Sequence, residues 1–312
     1  MSIAFISFSC NKNDDKITPP SKQNPQTATS TTASTATQTF VTTWSKLEVR
    51  FTKGHSHGYF HGNPDYPVKY LKTVQHFYFN NVNGVPTPAA DNPTAIRWEG
   101  ADVVEEDHHD DEEEEHHNHQ HNAGVSLYGI ELIFYDASGK RINTMLSTGN
   151  NPNHYQFFFV ANNFVAVASN TTVPTQAEAL NYKYRDTNPE ELYIKGGAGI
   201  DKNPNAPKGV LRQEQIGLKG FFEVKRTYIN FDLRIVLGYF SSKPADLAYN
   251  TVPNNKILDV KIPIHIYTDI LKEYKQVEDA MREFGVSQEE IEKDQSDILA
   301  SNLSPESSGT FL

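Results

Sequence analysis

Half of the histidines in this chain, six of twelve, fall within fourteen positions: His108, His109, His116, His117, His119 and His121. Nine acidic residues between Glu105 and Glu115 are interleaved with them. Imidazole nitrogen and carboxylate oxygen are donors that suit Zn²⁺, Cu²⁺ and Ni²⁺, and carboxylates alone also collect Ca²⁺ or Mg²⁺. The acids raise the local cation concentration, and neighbouring imidazoles complete an inner shell. Zn²⁺ is the first expectation, with Cu²⁺ or Ni²⁺ as alternatives. Binding should weaken as the imidazoles protonate below about pH 6.5. Residues 105–121 carry no apolar side chain, so the stretch is expected to be a mobile loop between two strands. Ordering such a loop costs conformational entropy, which predicts micromolar rather than very tight affinity. The plainer alternative is a solvated charged loop that binds metal adventitiously.

A second group follows in Gly54-His55-Ser56-His57-Gly58-Tyr59-Phe60-His61-Gly62. In extended backbone residues i and i+2 share a face, so His55 and His57 can present two imidazoles together, and the glycines let the chain turn so that His61 joins them. Three imidazoles with an open fourth position describe a Zn²⁺ or Cu²⁺ site. His154, in Asn153-His154-Tyr155, is a candidate fourth ligand. Surface histidines separated by turn glycines are the competing reading. His76 and His265 sit inside apolar strand patterns and are expected to be structural.

Other chemistry finds less support. The net charge is −11, but the acidity is concentrated in the 105–115 stretch and the remainder is close to neutral. No basic face is visible, which argues against nucleic acid as a partner. Gly196-Gly197-Ala198-Gly199 lacks the Gly-Lys-Ser/Thr ending of a phosphate-binding loop. Asp201-Lys202-Asn203-Pro204-Asn205 opens like a calcium loop, but Ala206 and Arg212 stand where Gly and Glu are needed. No Gly-x-Ser-x-Gly elbow and no H-E-x-x-H pattern occurs. A non-enzymatic role is therefore expected. A His₃ metalloenzyme with a metal-bound water is the catalytic alternative.

Cys10 is the single cysteine, so a disulfide or thiolate cluster within one chain is excluded. Ile3-Ala4-Phe5-Ile6-Ser7-Phe8-Ser9 before it is a short apolar run ending in a small residue, the pattern of a cleaved secretory signal. Asn11-Lys12-Asn13-Asp14-Asp15-Lys16 follows. Over these residues the chain resembles a bacterial lipoprotein. A cysteine before a Lys/Asp-rich patch is similar to the surface-export signal of lipoproteins from the Bacteroidota. The resemblance implies a signal over 1–9, lipidation of Cys10, and anchoring at the outer membrane with exposure at the cell surface.

The elements that must position these residues read mainly as strands. Residues 10–39 comprise the anchor and a Ser/Thr/Pro-rich tether too poor in apolar groups to fold. A β domain is expected over 40–268, with the His/acid loop at 105–122. Strands are predicted at 47–51, 72–79, 125–135, 156–160, 164–168, 180–184, 220–225, 228–237 and 256–264 from β-branched and aromatic residues with partial alternation. Asp136-Ala137-Ser138-Gly139 predicts a hairpin turn into a following strand, and Arg226-Thr227 predicts a second hairpin. Apolar spacing over 269–284 and a capping box at Ser287 predict helices within 269–300, followed by a loose tail at 301–312. The fold class is thus mainly β, an antiparallel β-sandwich or barrel with one or two C-terminal helices.

The resulting expectation is a surface-tethered lipoprotein that binds divalent transition metal and passes it to an outer-membrane transporter. The competing expectation is a β-sandwich adhesion module that holds glycan or protein through exposed Tyr59, Phe60, Tyr66 and Tyr70, the His-rich loop being incidental.

Overall fold

In a computed structural model of the chain, the described residues are 35–56, 60–62, 71–100, 126–166, 172–194 and 207–268, together with 278, 281–282, 287–289 and 312. Among them the strands are β1 (Lys46–Ser56), β2 (Phe60–Gly62), β3 (Val74–Val82), β4 (Val85–Pro88), β5 (Ile96–Gly100), β6 (Ser126–Tyr135) and β7 (Tyr155–Ala166). These are followed by β8 (Leu180–Tyr184), β9 (Thr187–Asn188), β10 (Val210–Leu211), β11 (Lys219–Val224), β12 (Ile229–Tyr239) and β13 (Lys256–Thr268).

The protein is mainly β, as its alternation predicts. One sheet runs β4-β3-β1-β6-β11-β8 with β2 added to β1, a second runs β5-β13-β12-β7, and β9 pairs with β10. Pairing is antiparallel except between β13 and β5, which run parallel. The curled larger sheet forms a half-barrel. Period-2 patterning explains how it closes on the second sheet. Leu47, Val49 and Phe51 of β1 and Ile130, Leu132 and Phe134 of β6 turn inward, where they meet Phe157 and Phe159 of β7 and Leu233 and Ile235 of β12 in one core cluster. Trp98 of β5 is fully buried at the join. Its ring stacks on Tyr128 at 5.1 Å and meets Phe51 edge-on at 5.7 Å.

Several expectations change. Helix α1 (Thr35–Thr43) overlaps the end of the stretch read as tether. Its C-terminal half buries Phe40, and Trp44 just beyond it packs with Phe40 on Phe134; that packing outweighs a poor local composition. The strands predicted at 156–160 and 164–168 are one strand, β7. Asn162 and Asn163 are absorbed where the pairing with β12 shifts register, Asn163 having a positive φ and donating to Asp232. The Asp136–Gly139 turn forms, with the Asp136 carboxylate accepting from Ser138 and Lys140 N–H. It leads to a single bridge at Arg141 and the short helix α2 (Thr144–Ser147), not to a strand. Arg226-Thr227 is not a hairpin either, because β11 and β12 lie in different sheets. The short strands β2, β4, β5, β9 and β10 escaped the pattern, being too brief to alternate more than once or twice.

Of the residues expected to be helical near the end, Glu278, Met281, Arg282, Gln288 and Glu289 are helical. Ser287 precedes Gln288 without being helical itself; the other residues of that region, the tail to 311, the signal, Cys10 and the tether to residue 34 lie outside the described residues. No helix among the described residues is long and apolar enough to cross a membrane.

Candidate metal centre

β1 runs past its neighbours and folds back on β2, pairing Gly54 with Gly62, His55 with His61 and Ser56 with Phe60. Directly opposed residues of an antiparallel pair put their side chains on the same face. The His55 and His61 rings accordingly lie 3.7 Å apart between centroids, at 68°. Close approach of the two strands depends on glycine. A Cβ on Gly54 would sit 2.2 Å from the His61 carbonyl oxygen and 2.5 Å from the Phe60 ring, and one on Gly129 would meet the same ring at 2.6 Å. Phe60 fills the space these glycines leave, stacking on Phe221 at 5.5 Å. Leu312 lies alongside, exchanging backbone hydrogen bonds with Phe60 at 2.7 and 2.8 Å.

The orientation of His61 is fixed. Its Nδ1 lies 2.8 Å from the Gly62 carbonyl oxygen, and because a carbonyl only accepts, Nδ1 carries the proton and Nε2 the lone pair in the neutral ring. A backbone carbonyl holding the distal nitrogen is how metal-ligating imidazoles are usually oriented. The strand pairing thus brings two imidazoles together on one face, and His61 Nε2 is the donor atom that a transition metal would use. Two residues before His55 on the same face, Lys53 is paired with the buried Glu99 carboxylate, so its charge does not oppose a metal there.

The remaining candidates are spread. His57, between β1 and β2 in the sequence, and His108, His109, His116, His117, His119 and His121 lie outside the described residues, and among those described no group of three or more His, Cys, Asp or Glu could hold a metal. His154 is not beside the pair. It precedes β7, whose Phe157 ring packs 6.1 Å from Phe134. Phe134 pairs with Leu47 near the start of β1, and His55 lies eight residues further along that strand, roughly 26 Å at the usual rise. His76 donates from Nδ1 to Glu48 at 3.0 Å. Burial, then the Arg97 charge, lowers the pKa of His265. Both are held within the sheets, as expected. Of the aromatics proposed as an exposed binding face, Phe60 is fully buried, which corrects that expectation; Tyr59, Tyr66 and Tyr70 lie outside the described residues.

A larger polar assembly went unread. On the outer face of the big sheet, Glu48 accepts from Arg50, His76 and the Tyr135 hydroxyl. Arg50 reaches Glu131 at 3.7 Å, Glu131 accepts from Tyr193, and Arg141 joins Glu131 to Glu190. Glu131, Glu190 and Lys219 are only 3%, 4% and 0% exposed. Burial pushes the Lys219 amine below its ordinary value while Glu131 and Glu190 oppose that. It donates to Thr187 Oγ1 and the Leu192 carbonyl. Each of these carboxylates has a cation, so the network is a structural clamp rather than a proton-transfer site. Outward Glu48 and Arg50 alternating with Leu47, Val49 and Phe51 was the visible signal; their partners come from distant segments.

Comparison with protein-family models, with curated proteins and with solved structures finds no match.

Proposed function

We propose that this protein is a surface-tethered lipoprotein that captures divalent transition metal, Zn²⁺ first and Cu²⁺ or Ni²⁺ as alternatives, and delivers it to an outer-membrane transporter. The observation that carries the reading is the His55/His61 pair, with His61 turned by the Gly62 carbonyl so that Nε2 holds the lone pair. Connectivity adds support. The His/acid stretch enters β6 at Ser126, and the next residue, Leu127, pairs with Gly54 directly before His55. The stretch is therefore rooted beside the pair, where it can serve as a collecting arm while His57 completes the inner shell.

Calorimetry with ZnCl₂ on the full chain tests this. We expect one tighter site and several weak ones. His55→Ala with His61→Ala should weaken the tighter site by about a hundredfold, while Asn in place of the six histidines of 108–121 should remove only weak sites. Equal partial loss from every substitution would mean nonspecific chelation and overturn the proposal. The tighter site should also weaken below about pH 6.5, where bound protons compete.

The anchor has its own test. Cys10→Ser should move the protein from the membrane fraction to the soluble fraction, since lipidation supplies the attachment. Unchanged membrane association would remove the lipoprotein half of the proposal without touching metal binding.

A further inference from the structure

Roughly a strand's length from the His55/His61 pair, a cleft of about 740 Å³ opens where the turn before β7 meets the segment after β12. Its walls are tied together. The Phe240 N–H donates to the His154 carbonyl at 2.8 Å, and the Lys243 N–H to the Asn153 carbonyl at 3.1 Å. The floor is equally fixed. His154 donates from Nδ1 to the Phe240 carbonyl at 2.9 Å while its Nε2 accepts from the Asn150 amide at 2.9 Å. Both ring nitrogens are thus used, which makes this imidazole part of the cleft wall rather than an open metal ligand. Tyr184 donates its hydroxyl to the Phe157 carbonyl at 2.7 Å, and Lys243 donates from Nζ to the Gln215 carbonyl at 2.7 Å.

We propose that this cleft binds a short neutral glycan. The exposed lining carries the amides of Asn150, Asn153 and Gln213 and the hydroxyls of Ser241 and Ser242, beside Glu214, Pro244 and Ala245. Amides and hydroxyls both donate and accept, as sugar hydroxyls do, so they can follow a run of vicinal OH groups. The charged lining groups are one carboxylate, Glu214, and one ammonium, Lys243, whose charges cancel and give no basis for selecting an ion. Tyr184, Pro244 and Leu247 add the apolar surface that the C–H face of a pyranose requires. A lipid or drug-like apolar ligand would need a mainly hydrophobic lining, which this cleft lacks. Because the floor is hydrogen-bonded before any ligand arrives, little ordering cost opposes binding.

The test is calorimetric titration of the full chain with maltose, cellobiose, lactose and N,N′-diacetylchitobiose, with glucuronate and inorganic phosphate as charged probes. At least one neutral disaccharide should bind saturably with Kd of about 1 mM or tighter. Gln213→Ala and Ser241→Ala, both on the exposed rim, should weaken it about threefold to tenfold each. Ser242→Trp should abolish it by filling the cleft, and His55→Ala with His61→Ala should leave it unchanged. Unaltered thermal unfolding of each variant would show that its fold is intact. Absence of saturable binding by all four sugars overturns the proposal. So does binding that survives Ser242→Trp at full strength, or tighter binding of glucuronate or phosphate than of any neutral sugar.

Discussion

Asp186→Ala is expected to destabilise the protein by on the order of 4 kcal/mol, seen as a lower urea midpoint with an unchanged slope. The Asp186 side chain is buried and accepts three backbone N–H groups, from Ile216 at 2.7 Å, Gly217 at 2.6 Å and Lys219 at 3.0 Å. Burial raises its pKa from the ordinary carboxylate value, and the three N–H donors and Lys219 oppose that rise. Alanine would leave all three donors without an acceptor inside the protein, each a penalty of about 1–3 kcal/mol. Asn should cost less than Ala, because its one carbonyl oxygen can still take the two bonds from Ile216 and Gly217. An Ala variant within about 1 kcal/mol of the parent would contradict this account of the turn.

The second large effect is acid sensitivity carried by Glu48. Burial alone would raise this carboxyl, but the hydrogen bonds from His76 and Tyr135 and the Arg50 charge outweigh it and bring the pKa down to about 2 from an ordinary 4.5. The folded value lies below the unfolded one, so the stabilisation is fully present above pH 4.5 and fades as pH falls from there towards 2. Its size is on the order of 2 kcal/mol once solvent screening is allowed for. Urea unfolding of the parent and of Glu48→Gln between pH 7 and pH 2.5 isolates it, since other carboxylates titrate in both. The gap between the two proteins should narrow steadily below pH 4.5. A gap independent of pH would show that Glu48 does not carry this linkage.

Both effects arise from residues that look ordinary in one dimension. Asp186 sits between Arg185 and Thr187 with nothing to mark it as the acceptor for a turn thirty residues away. Glu48 is legible as an outward residue of a strand, since it alternates with Leu47 and Val49, but His76 and Tyr135 reach it only because β3 and β6 flank β1. The histidine group near residue 55 was legible for a different reason. His55 and His61 are separated by one turn, and glycines at both ends let the chain reverse, so local spacing nearly dictates their meeting. His154 had no such constraint, and long-range packing carried it elsewhere.

By itself, then, the sequence determined what depends on neighbours along the chain: the strand character of most of the β domain, the turn at Asp136–Gly139, a chain reversal that returns His61 towards His55, and the concentration of acids and histidines in one stretch. Alternation and turn chemistry act over a few residues, so a linear reading captures them. Tertiary structure decided which strands share a sheet, that Arg226-Thr227 crosses between sheets, that Phe60 is buried, and that Glu48, Glu131 and Glu190 find cations. Those outcomes depend on which apolar faces close over one another. That is settled by burial summed over the whole core, a quantity no short window of residues contains.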